Sequence, residues 1–297
     1  MSDFVQQQNS ICDFANSDSW VILSPIEQSI KRKIEAVGKP LKDWDIQINY
    51  GIKTGFNDAF IISTEKRNEI LANCKDADER KRTEELIRPI LRGRDIKRYG
   101  YVDNGLYLIN THNGVRGKFP RIDINDYPAV KAHLDQYWDR IATRADKGDT
   151  PYNLRNCAYL EDFSRPKIIW KRIGSILRFS FDNKGCLGLD STCFAAGEHI
   201  GYLCCVLNSL MGHYLLKDSP KTGTGDLLVS VQAIEPACIP YNAQYDRQLS
   251  SLLDRQITNP SDTTDKEIDD IVFTMYGLSP NERDYVTRYI KLSQQSL

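Results

Sequence analysis

The chain has 297 residues, enough for one large domain or two ordinary ones, with 41% hydrophobic and 10% aromatic residues. That composition supports a real core and excludes wholesale disorder. Lys and Arg (39) almost cancel Asp and Glu (40), which excludes a uniformly basic binder but not a molecule with one basic face.

In chain order, the first twenty residues are polar and read as a tether, without the basic and apolar regions of a secretory signal. Ser24-Pro25-Ile26-Glu27 is a capping box that opens a helix. Residues 45–50 alternate as a strand and run into the Gly-flanked loop 51–57. A short strand is expected over 59–62, then charged helices over 64–73 and 78–88, the latter ending before Pro89. Strands follow over 106–109, 167–170, 176–181 and 192–196, with a helix over 127–141 and a long or broken one over 198–216. After Pro240 the chain turns helical: a stripe from Tyr245 to Leu253, a helix capped at Thr264 that stops at Gly277, and a last one opened by Ser279-Pro280-Asn281-Glu282. The expected class is α+β, a mixed or antiparallel β-rich domain with flanking helices, divided as a tether (1–20), a main domain (21–241) and a helical segment packed on it (242–297). No apolar run reaches the roughly 20 residues of a membrane span, and no membrane partner is expected.

The eight cysteines form no C-x-x-C and have no His at zinc-ligand spacing, so they read as reduced thiols used as small hydrophobes. The four His are scattered. Charge is not spread evenly. Residues 80–98 carry eight bases against three acids, 164–181 five bases and no acid, and 242–285 nine acids against four bases. Three Gly-bearing polar loops, 51–57 (GIKTGFN), 92–95 (RGRD) and 221–226 (KTGTGD), set cations beside glycines, a composition that suits phosphate oxygens and equally an ordinary surface turn. None is a nucleotide P-loop or a dinucleotide fingerprint. Ser63-Thr64-Glu65-Lys66 with Lys221-Thr222-Gly223 mimics a Ser-x-x-Lys hydrolase, but the motif between them is missing. Pro166 to Lys171 has Ile169 where a metal nuclease would place a carboxylate, and the cluster Asp265, Glu267, Asp269, Asp270 reads as a solvated helix start. Binding chemistry is plentiful and reaction chemistry scarce.

Taken together, Gly51 to Phe60, Ile90 to Ile96, Pro151-Tyr152-Asn153-Leu154-Arg155, Pro166 to Trp170, Asp190 to Phe194 and the stretches Glu267 to Asp269 and Tyr276 to Leu278 resemble one domain type. It is the TaqI-like C-terminal specificity domain of restriction-modification adenine methyltransferases, often of type IIG. Residues 231–240 are also similar to target-recognition domains of type I specificity subunits. The resemblance covers about residues 20–280 and implies recognition of a short double-stranded DNA sequence in a bacterial, cytoplasmic setting. The chain departs from the parent enzymes in lacking Asn-Pro-Pro-Tyr (the nearest string is Asn259-Pro260), a Gly-rich S-adenosylmethionine loop and a nuclease site. The expectation is therefore a recognition module, either excised from a longer enzyme or a separate subunit, with no catalytic residue, metal or cofactor of its own. S-adenosylmethionine, and magnesium for any nuclease, would belong to a methyltransferase partner in cis or in trans, which would also take up the flipped adenine. The residues expected to face DNA are Lys53, Thr54, Asn57, Arg92, Arg94, Lys97, Arg155, Lys171, Arg172, Lys221 and Thr222. The alternatives are a stand-alone hydrolase, a degenerate nuclease, or a protein-interaction module built on the acidic helices.

Overall fold

The computed structural model describes residues 23–295, so the expected tether lies outside the described residues. Helix α1 (Pro25–Val37) starts at its capping box, with Ser24 accepting the Glu27 backbone N–H and Glu27 accepting that of Ser24. Strands β1 (Lys39–Pro40) and β2 (Ile46–Tyr50) follow. The strand expected over 59–62 is instead one helical turn, α2 (Asn57–Phe60), leading into β3 (Ile61–Ser63). Ala59 and Phe60 are both fully buried, and two consecutive buried residues fit a turn better than a half-exposed strand. Next come α3 (Thr64–Ala72) and α4 (Ala77–Leu86), then β4 (Ile87–Leu91), a strand that Pro89 hides from sequence reading. Pro89 is tolerated because it lies where β4 has a partner on one side only.

After β5 (Leu106–Ile109), the helix expected over 127–141 breaks into α5 (Pro128–Asp135) and α6 (Trp138–Ile141). Tyr137 leaves helical geometry (φ −111°, ψ 14°) and packs its ring against Phe56 and His133. Strands β6 (Lys167–Lys171), β7 (Ile173–Gly174), β8 (Phe179–Asp182), β9 (Leu187–Gly188) and β10 (Thr192–Gly197) make up the middle. The expected strand over 176–181 begins only at Phe179, because the chain first departs to form β7. Helices α7 (Ile200–Asn208) and α8 (Leu210–Leu215) are split by Ser209, whose extended backbone ends one helix and whose hydroxyl caps the next. A Cβ on Gly212 would lie 2.1 Å from the Val206 carbonyl oxygen, so the tight corner needs glycine. The chain closes with β11 (Leu227–Leu228), α9 (Val231–Ile234), β12 (Cys238–Ile239), α10 (Ala243–Thr258), α11 (Asp262–Met275) and α12 (Pro280–Gln295). Helix α11 starts earlier than expected, because Ser261 rather than Thr264 is its cap.

The fold is α+β. A central antiparallel sheet runs β2-β10-β6-β8, a second sheet runs β3-β5-β4-β9 with only β4 and β9 parallel, and two small ladders join β1 to β12 and β7 to β11. Successive side chains of a strand point to opposite faces, and here both faces of the central sheet are covered. Ile168, Trp170, Cys193 and Ala195 belong to one apolar core with Leu203, Leu249 and Val272 of the helices. Their neighbours Ile169, Phe194 and Ala196 belong to another, with Phe60, Leu108 and Leu187 around the second sheet. The helices of 242–295 therefore complete a core that also contains Ile30 and Trp170. Cys186, Cys193, Cys204 and Cys205 are buried free thiols within these cores. Among the described residues no helix is long and apolar enough to cross a membrane.

Candidate nucleic-acid interface

Residues 188–192, between β9 and β10, form a turn to which three distant loops are stitched. Ile52 donates to the Gly188 carbonyl at 2.6 Å and Gly51 to that of Thr192 at 3.0 Å. The Gly93 N–H donates to the Ser191 hydroxyl at 3.1 Å, while the Leu189 N–H donates to Leu91. The Arg172 N–H donates to the Ser191 carbonyl at 3.0 Å, and Arg172 in turn accepts from Val229. Loops 51–57, 92–97 and 171–178 thus share one anchor, and the 221–226 hairpin is attached through the β7–β11 ladder. Glycine is required at the closest approach: a Cβ on Gly51 would lie 1.9 Å from the Leu189 oxygen.

On this anchor the expected residues separate into groups. Arg94, Lys97, Lys171 and Lys221 are exposed and Arg172 is half-buried, and none of the five has an acidic partner among the described residues. The Lys171 stem packs over Gly93, which joins the Arg94 loop to the end of β6. Lys53 and Arg155 share one carboxylate, Asp146, at 2.7 and 3.1 Å, and hold it below the usual carboxylate range. Asn57 is exposed, and its Oδ1 accepts from Thr54 at 2.6 Å. Two expectations change. Thr54 is only 2% exposed, spent on holding Asn57 at the start of α2, and so is withdrawn from any surface ligand. Arg92 grips the buried Asp95 with two guanidinium bonds, at 3.1 and 3.0 Å, and shapes its loop from within. Thr222 is half-buried and organises the hairpin, its N–H donating to Asp226 and its hydroxyl meeting that of Thr224.

The basic stretch 80–98 is also less free than its charge count. Arg98 forms a bidentate pair with Asp265 of α11, and Arg88 donates to the Gly185 carbonyl. The acidic cluster on α11 is solvated only in part, with Asp270 exposed and the other three carboxylates engaged. Asp265 holds Arg98, Glu267 pairs with Arg255, and Asp269 accepts the Leu210 N–H at 2.7 Å, its carboxyl pushed up by burial to about 6.

Sequence reading passed over the loop 112–121, which packs against 149–156 through Asn113. Gly114 and Gly117 take positive φ (76° and 80°) in it, Lys118 pairs with Glu161 and Arg121 with Asp149, and Arg116 has no acidic partner among the described residues. The signal was legible: Arg116, Lys118 and Arg121 stand within ten residues that contain no acid.

The hydrolase candidate and the buried Lys–Asp pair are both engaged within the fold. Ser63, the hydrolase candidate, caps α3, and Lys66 pairs with Glu69. The Lys167–Asp182 pair is fully buried at 2.5 Å, with Tyr101 and the Cys186 N–H also donating to Asp182, so it locks β6 to β8 and faces no ligand. Among the described residues no three His, Cys, Asp or Glu side chains are placed to hold a metal ion.

No protein-family model matches the chain, and no curated protein matches it either. Among solved structures, the fold is similar to part of the type IIL restriction-modification enzyme MmeI, solved in complex with DNA, with a TM-score of 0.61 and 12% identity. The match covers 88% of this chain and 36% of that one. The type IIG restriction endonuclease BpuSI matches more loosely, with a TM-score of 0.42 and 14% identity over 86% of this chain and 34% of that one. The chain therefore spans about a third of the length of either enzyme. At such identities the likeness is one of fold.

Proposed function

We propose that this chain is the sequence-specific double-stranded-DNA recognition module of a restriction-modification enzyme. It would position the duplex for N6-adenine methylation, and for any cleavage, by a catalytic region outside this chain that holds S-adenosylmethionine and any magnesium. The observation that carries the reading is the convergence of the 51–57, 92–97 and 171–178 loops on the 188–192 turn, where Arg94, Lys97, Lys171 and Arg172, with Lys221 of the attached hairpin, have no acidic partner among the described residues. The likeness in fold to part of a DNA-bound restriction-modification enzyme agrees with it. Arg94, Lys97, Lys171, Arg172 and Lys221 would hold phosphates, and Lys53 and Arg155 could turn from Asp146 to the duplex. Phosphate contacts give affinity and register, and side chains such as Asn57 reaching base edges in the major groove would give sequence.

The test is duplex binding by fluorescence anisotropy across a salt series. Each phosphate contact contributes about 0.9 to the slope of log K against log salt, so Arg94→Ala with Lys171→Ala should flatten it by about 1.8 and weaken binding to all duplexes. An unchanged slope would remove these residues from the interface.

A further inference from the structure

Residues 112–121 carry a hairpin that the duplex contact proposed above leaves unused. Val115 and Phe119 exchange backbone hydrogen bonds at 3.0 and 3.1 Å, and Gly117 turns the chain between them at φ 80°. At the stem, Phe119 packs on His112 with ring centroids 5.0 Å apart, and the Ile122 N–H donates to the His112 carbonyl at 3.0 Å. The hairpin is ordered by its own bonds, so a ligand would not bear the cost of ordering it. Its tip is Arg116-Gly117-Lys118, with nothing within 4 Å of a Cβ built on Gly117.

The cations of this hairpin are open to a ligand. Arg116 is exposed, without an acidic partner among the described residues. Lys118 pairs with Glu161, and Arg121 with Asp149 at 3.6 Å, but all four side chains are about half exposed. Ion pairs in that setting contribute little in water, so a phosphate can replace either carboxylate. Arg116 and Arg121 also belong to the wall of one open cleft of about 460 Å³, together with Asn113, Phe119 and Asn156. Asp149, the acid of that wall, already serves Arg121. Arginines and side-chain amides are the donors that suit phosphate oxygens.

The hairpin is also fastened beside the 51–57 loop. Asn113 clamps its stem to residues 149–156, accepting the Asp149 N–H at 2.8 Å and donating to Asn156 Oδ1 at 2.5 Å. That segment touches the loop directly: a Cβ on Gly55 would lie 2.8 Å from the Asp146 carbonyl oxygen, and Lys53 and Arg155 share the Asp146 carboxylate. From within, Arg144 donates to the carbonyls of Asp146 and Asn153 at 3.2 and 2.6 Å and stacks over the Phe60 ring of α2 at 4.2 Å. A continuous run of contacts leads from one DNA-facing loop to a second set of cations, in a stretch (112–122) that contains no acid.

Given the DNA-binding reading above, on which this rests, we propose that the 115–119 hairpin is a second contact on the same duplex. It flanks the stretch held by the loops of the 188–192 turn, with Arg116, Lys118 and Arg121 on the sugar–phosphate backbone. The contact adds affinity and length of footprint but no sequence information, since phosphates are alike along a duplex.

Fluorescein-labelled mixed-sequence duplexes of graded length, titrated with the full chain across a salt series, test it by anisotropy. In the wild type the slope of log K against log salt should rise with duplex length. In Arg116→Ala with Lys118→Ala it should stop rising early, leaving a gap of about 1.8 on the longest duplex at about 0.9 per phosphate contact. The two proteins should agree on the shortest duplex that binds, and should melt together because the substituted side chains are exposed. Arg116→Lys with Lys118→Arg should keep the wild-type slope, because a phosphate contact needs the charge. A hairpin variant that follows the wild type at every length overturns the second contact. If Arg94→Ala with Lys171→Ala still flattens the slope in that case, the DNA-binding reading itself stands. A loss equal at every length would put the hairpin on the central stretch and overturn the flanking position. Absence of binding to any duplex would overturn both.

Discussion

Gly51→Ala probes the anchor of the loops most directly. The added Cβ would sit 1.9 Å from the Leu189 oxygen and 2.7 Å from that of Gly188, both backbone atoms with no rotamer to change. The strand end must therefore move. Overpacking of this kind costs about 1–3 kcal/mol. The shift also strains the Gly51-to-Thr192 and Ile52-to-Gly188 bonds, each worth about 1 kcal/mol net. A loss of roughly 3–5 kcal/mol is a large part of the 5–15 kcal/mol that stabilises an ordinary domain, and should lower the melting temperature by on the order of 10 °C. Gly223→Ala is the control, since nothing lies within 4 Å of its added methyl. Urea denaturation and thermal melting of both variants decide the matter. If Gly51→Ala melts with Gly223→Ala, the close approach of residue 51 to the 188–192 turn is wrong.

Other consequences are open to measurement. Lys167→Met strands the Asp182 charge in the core and should cost about 3–5 kcal/mol, and adding Asp182→Leu should recover only part of it, because Tyr101 and the Cys186 N–H lose their acceptor. A double-mutant cycle in urea without coupling would mean that the two side chains do not act as a pair. Asp269 has its folded pKa raised to about 6 from an ordinary 3.8, so the folded state binds the extra proton and stability falls as pH rises through that window. Asp269→Asn keeps the acceptor for Leu210 and should be more stable than wild type at pH 7 by up to about 2–3 kcal/mol, the difference closing toward pH 4. A difference constant from pH 4 to 7 would refute the assignment.

The sequence made local order legible and long-range pairing much less so. The capping box at Ser24, the strands of 106–109 and 167–170 and the three closing helices follow from periodicity and punctuation that act over a few residues. The break at Tyr137 and the turn at α2 follow instead from ring packing and burial contributed by distant chain. The site shows the same division. Cations near glycines could be named from composition, but that Asp95 occupies Arg92, that Asp265 occupies Arg98 and that Lys53 and Arg155 share Asp146 are facts of the folded molecule. Charge counted along the chain overstates the charge offered to a ligand wherever the fold supplies the counter-ion.

The way the loops are fastened bears on how such a protein can change. Of the bonds that join the loop stems to residues 188–192, the Gly93 bond to the Ser191 hydroxyl is made by a side chain, and the others run from main chain to main chain. Main-chain bonds survive most substitutions. The tips at 53–57, 94–97, 172–178 and 221–226 can therefore exchange residues, and even lengthen, while their stems stay registered to one another. The fastening of the loops is thus separable from the identity of the side chains at their tips, and rests on a five-residue turn.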